Sequence, residues 1–169
     1  MQRFLTITLV AAMGVMSLAA ADPLSDEARQ AWNRTSGNMV KAAEKMPAEN
    51  YTFKPAPESQ SFGDLVAHTA NSAMGTCSGM SGERRRAGVD GSATKDAMVA
   101  AIKAAATECE KAYGALTDAN ALEMIAGRRG SRSRLGTLYG NTIHIEHEYA
   151  QMAVHMRLKG IVPPSSEGR

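Results

Sequence analysis

The stretch SRLGTLYGNTIHIEHEYAQMAVHMRLKG, Ser133 to Gly160, decides how the rest of the sequence is read. At about 100° per residue, Leu135, Leu138, Thr142, Ile145, Tyr149, Met152, Ala153 and Met156 share one broad face, the apolar stripe of a buried helix. The spacing predicts a helix from Ser133 to Lys159, closed by Gly160 at its C-cap. The tail IVPPSSEGR cannot continue it, because its two prolines lack the amide donor a helix needs. A second stripe, Asn141, His144, Glu148, Gln151 and His155, is polar, and it is either a solvated face or a site.

Within that helix, HIEHE (His144 to Glu148) holds two of the four histidines of the chain. His144 and Glu148 are one turn apart at i, i+4 and can point at the same atom, a common way for a helix to hold a divalent metal. His147, at i+3 from His144, lies about 60° round the wheel. A third ligand must come from elsewhere, and His68 is the available histidine. Asp64, one turn before it, could accept its free ring N–H. One ligand from a second helix and two from the last would leave coordination positions open, which suits catalysis.

Three more helices are read upstream. The first runs from about Ser25 to Met46, with Ala28, Trp32, Thr35, Met39, Ala42 or Ala43, and Met46 on one face, and Pro47 ends it. The second opens at Ser61, paired with Asp64 in a capping-box pattern, and buries Phe62, Leu65, Val66, Thr69, Ala73 and Cys77. The third spans Lys95 to Leu116, with Met98, Ile102, Ala105, Cys109, Ala112 and Leu116 inside. Long connections separate helices two and three (Ser78–Thr94) and three and four (Thr117–Arg132), the latter carrying Leu122, Met124 and Ile125 toward one end of the core. With no strand signal, the fold expected is an all-α, up-and-down four-helix bundle.

The first 21 residues read as a secretory signal peptide: one positive charge in MQR, an apolar run, and Ala19–Ala21 as a small-residue cleavage site. Residues 22–169 then form one domain, expected in the periplasm or secreted, without stable membrane association after cleavage. Of 19 Lys and Arg, one lies in the leader, leaving 18 against 17 acidic residues. That balance gives no electrostatic reason to expect nucleic acid. The expected partner is a small molecule, and a homodimer is compatible with the sequence. Arginines gather at Arg84–Arg86 and in RRGSRSR, Arg128 to Arg134; solvated charge is the default for both, and anion binding near a helix start is the alternative for the second. Eight methionines outside the leader read as core filling rather than as copper ligands.

An exported chain permits a disulfide between Cys77 and Cys109. With helices two and three as antiparallel neighbours, however, Cys109 would lie about 20 Å from the connecting end. On that geometry the cysteines are expected to remain unpaired.

The order AAEKMP, YTFKPAPESQSFGDLVAHTANS, then RLGTLYGNTIHIEHEYAQMAVHMRLKGIVPPSS, from Trp32 to Ser166, resembles the DinB-like superfamily of metalloenzymes, in its often exported branch. The resemblance implies a divalent metal (zinc, nickel, manganese or iron) held by one histidine of helix two and two of helix four. His68 matches the first and His144 the second. The usual third histidine falls on Glu148, counting back from RLKGIVPP. Either Glu148 binds directly, as i, i+4 geometry favours, or His147 swings in and leaves Glu148 as a base, or the site is degraded. The function expected is activation of water or a thiol for hydrolysis or group transfer on a small molecule, with His147 or His155 carrying protons. The alternative is a non-catalytic bundle that binds metal or ligand. Thiol-dependent transferases and isomerases of the family use cytosolic thiols, which export disfavours.

Overall fold

The computed structural model describes residues 22–127 and 130–168, so the leader expected over residues 1–21, with its cleavage site, lies outside the described residues. Four long helices form an all-α bundle: α1 (Pro23–Lys45), α2 (Phe62–Gly79), α3 (Lys95–Gly114) and α4 (Arg134–Leu158). A two-residue antiparallel ladder, β1 (Met124–Ile125) with β2 (Arg132–Ser133), precedes α4. No helix among the described residues is long and apolar enough to cross a membrane.

The predicted faces are the buried ones. Trp32 of α1 stacks on Tyr113 of α3 with centroids 4.9 Å apart, and the Tyr113 hydroxyl donates to the Leu138 carbonyl of α4 at 2.6 Å. Phe62, Leu65 and Val66 of α2 meet the same core, as do Ile145, Met152 and Met156 of α4. Six methionines (Met39, Met46, Met74, Met98, Met152 and Met156) are buried, as core filling requires. Leu122 and Met124 instead stay exposed, and Ala121 is the buried residue of that connection.

The connectivity departs from a simple up-and-down order. Ser25 at the start of α1 is hydrogen-bonded to Asp118 just past α3, while Lys103 of α3 pairs with Glu44 near the end of α1, so these helices are antiparallel. Thr35 donates to Glu146 at 2.7 Å and Lys45 to the Val162 carbonyl at 2.9 Å, so α1 and α4 run together. The segment after α2 turns back along it: the Arg85 amide donates to Ser78, the Gly88 amide to Asn71, and Asn71 to the Val89 carbonyl. By Gly91 the chain has returned to the first turn of α2, where an added Cβ would collide with the Asp64 carboxylate. Helices α2 and α3 therefore start side by side and run parallel.

This corrects the expectation of unpaired cysteines. Cys77 and Cys109 form a disulfide with Cα atoms 4.9 Å apart. Cys77 is fifteen residues past Phe62 and Cys109 fourteen past Lys95, so parallel helices bring them level. The antiparallel assumption had separated them.

The capping box that opens α2 forms as read, with Ser61 Oγ accepting from the Asp64 amide at 3.1 Å and Asp64 accepting from the Ser61 amide. We expect Ser61→Ala to lower stability by about 1 kcal/mol, measured by urea unfolding.

Candidate metal centre

Burial of Ile145 and Tyr149 fixes the rotation of α4 and turns the stripe beside them, His144 and Glu148, toward α2. Vertical register comes from His155, whose Nε2 lies 3.0 Å from the Gln60 carbonyl just before α2. Counting along antiparallel helices from that contact, His68 lies about 12 Å away, between Glu148 at about 10 Å and His144 at about 16 Å. The three side chains therefore meet.

His68 Nε2 is 3.1 Å from His144 Nε2 and 3.8 Å from Glu148 Oε1, and His144 Nδ1 is 3.7 Å from the same oxygen. One ligand atom from each lies within 4.8 Å of the other two. Ligands at about 2.0–2.1 Å from a cation stand roughly 2.8–3.0 Å apart at octahedral angles and roughly 3.3–3.4 Å at tetrahedral ones. The ring-to-ring spacing falls within that span, and the two spacings to Oε1 are somewhat longer. Both imidazoles are partly open to solvent, whereas the Glu148 side chain is only 7 % exposed. Gln151 Nε2 donates to Glu148 Oε2 at 3.1 Å, which leaves Oε1 facing the two rings. No Lys or Arg pairs with this carboxylate among the described residues. A buried carboxylate without a cationic partner is costly, so the donor set suits a cation. Burial pushes the His144 pKa down, against the opposing Glu148 carboxylate and with help from His68 and His147. A depressed pKa keeps the ring neutral, the form that ligates.

A sequence model of the DinB superfamily matches residues 31–152. The chain belongs to the DinB superfamily. The crystal structure of a DinB-like protein from Bacillus cereus is similar in fold, with a TM-score of 0.66 and 18% identity, over 82% of this chain and 95% of that one. No curated protein matches the sequence.

The remaining candidates of this DinB chain lie apart from the cluster. His147 is exposed on the solvent side of α4. His155 is buried, with Nδ1 2.9 Å from the Gln151 carbonyl and Nε2 on that of Gln60, so backbone oxygens face both ring nitrogens. Asp64, expected beside His68, is committed to the cap of α2. The polar stripe of α4 is not a solvated face: Asn141, Glu148 and His155 are all buried. The sequence placed Gln151 on that stripe without a role; its signal was the i+3 spacing to Glu148.

Proposed function

We propose that this is an exported DinB-like metalloenzyme whose His68, His144 and Glu148 hold a divalent cation. The observation that carries the reading is the convergence of two imidazoles on a buried carboxylate that has no Lys or Arg partner among the described residues. Two histidines and one carboxylate form a set that iron(II), zinc, manganese or nickel can share. Such a cation supplies Lewis acidity, lowering the pKa of water or a thiol toward neutrality for hydrolysis or group transfer on a small molecule. Gln151 holds Glu148 so that one oxygen faces the site. The half-open imidazoles leave an approach from solvent, and on this reading the exposed His147, one turn along α4 from His144, exchanges protons between the site and solvent. His155 braces α4 against the residues before α2 and so sets the register of the ligands. A periplasmic or secreted location follows from the leader-like first 21 residues.

A metal-free bundle is the second reading, favoured by the 3.1 Å Nε2–Nε2 approach, which suits one N–H···N hydrogen bond between the rings. Titration of the purified, chelator-stripped protein with zinc, nickel, manganese and iron(II) separates the two. One equivalent bound at micromolar or tighter affinity supports the enzyme reading, and no binding by a folded protein overturns it. Gln151→Ala should weaken binding roughly 10-fold, since groups that orient ligands cost 10–100-fold when lost.

A further inference from the structure

Beside His144 lies a cleft of about 580 Å³, between the second half of α2 and the first half of α4. Among the described residues its wall contains two arginines, Arg84 and Arg132, and no carboxylate. Neither arginine has an acidic partner among the described residues, whereas the neighbouring Arg85 pairs with Glu108 at 2.7 Å and Arg134 with Glu123 at 3.0 Å. Both free guanidinium groups lie against glycines. A Cβ added at Gly75 would stand 3.5 Å from Arg84 Nε, and one at Gly140 only 3.1 Å from Arg132 Nη1. Glycine at these positions lets each guanidinium rest on a helix backbone. The segment carrying Arg84 is tied to α2 by the Arg85 amide on Ser78, and Arg132 is held in the β1–β2 ladder.

Asn141 lines the same cleft. It is buried, and its Nδ2 faces the Tyr113 hydroxyl at 3.3 Å and the disulfide sulfurs. Its Oδ1 is one of two buried side-chain polar atoms without a partner among the described residues. Buried acceptors are normally paired.

We propose that this cleft is the substrate subsite of the metal centre, and that Arg84 and Arg132 bind an anionic carboxylate or phosphate group there. The proposal rests on the metal-site reading above for the word substrate, but the anion binding itself needs no metal. Gly140, against which the Arg132 guanidinium lies, precedes His144 by one turn, about 6 Å along α4. A small organic acid or phosphate ester spans that distance. Planar guanidinium forks match both groups with paired hydrogen bonds.

The test uses metal-free protein and two probes, inorganic phosphate and acetate, followed by chemical-shift titration of the Asn141 side-chain amide and the Gly75 and Gly140 backbone amides. Metal affinity is measured separately on each variant. Phosphate or acetate should shift these signals saturably, and the preferred probe identifies the anion class. Arg84→Gln with Arg132→Gln should weaken binding at least 10-fold and leave metal affinity unchanged. Arg84→Lys with Arg132→Lys should recover part of it. Equal binding by the glutamine variant, or no binding of either probe, overturns the subsite whatever the metal titration shows. A protein that binds phosphate in the cleft but takes up no metal would keep the anion site and remove the enzyme reading.

Discussion

His144→Ala is expected to abolish stoichiometric metal binding while leaving the bundle folded. The ring is partly solvent-exposed, and its polar contacts are His68 and Glu148. Nothing in the core rests on it, so the stability change should stay within about 0.5 kcal/mol. Loss of a group that merely orients a ligand costs 10–100-fold in affinity, so loss of a ligand should cost more than about 100-fold. Competition against a chromogenic chelator reads the affinity, and a thermal melt checks the fold. His68→Ala should behave alike from the other helix. Glu148 is the informative position, because burial makes its carboxylate costly without a cation. Glu148→His tests whether the carboxylate ligates: tighter binding would mark the native set as a weakened three-histidine site, and unchanged binding would remove Glu148 from it. Metal retained at full affinity by His144→Ala would sink the assignment entirely.

Spacing alone joined only the two ligands carried by one helix, while His68 was reached as the available histidine and through the family resemblance. Alternation of Ile145, Tyr149 and Met152 fixed which way α4 turns, and i, i+4 spacing then joined His144 to Glu148. Their meeting with His68 depends on register between helices, which His155 and the Gln60 carbonyl set through a contact 95 residues apart in sequence. No local pattern encodes that. The direction of α3 was misread for a different reason. Short connections make neighbouring helices antiparallel, but residues 80–94 can span up to about 50 Å, while α2 with its 18 residues is about 27 Å long. The connection was long enough to return to the start of α2, and its glycines and arginines gave no hint that it would. The cleft was hidden for the same reason, since Arg84 reaches it only because that segment folds back on α2.

The disulfide is where the parallel arrangement has its largest energetic consequence. Cys77 and Cys109 are 32 residues apart, and closing a loop of that size in the unfolded chain is worth about 3–4 kcal/mol on the chain-entropy account. Reduction of the native protein should therefore lower the urea-unfolding free energy by about that amount and Tm by roughly 10 °C. Cys77→Ala with Cys109→Ala should cost somewhat more, because both side chains are buried and their sulfurs contact the Asn141 amide. The difference between reduced protein and double variant isolates packing, since reduction keeps both sulfur atoms. The loop closed by the bond contains residues 80–94, which hold Arg84 against α2. Reduction should thus also raise amide exchange at Arg85 and Gly88, whose donors bond to Ser78 and Asn71. An unchanged unfolding midpoint after complete reduction, shown by thiol titration, would mean that the unfolded chain gains nothing on release. The packing of α2 along α3 alone would then hold the two helices in register.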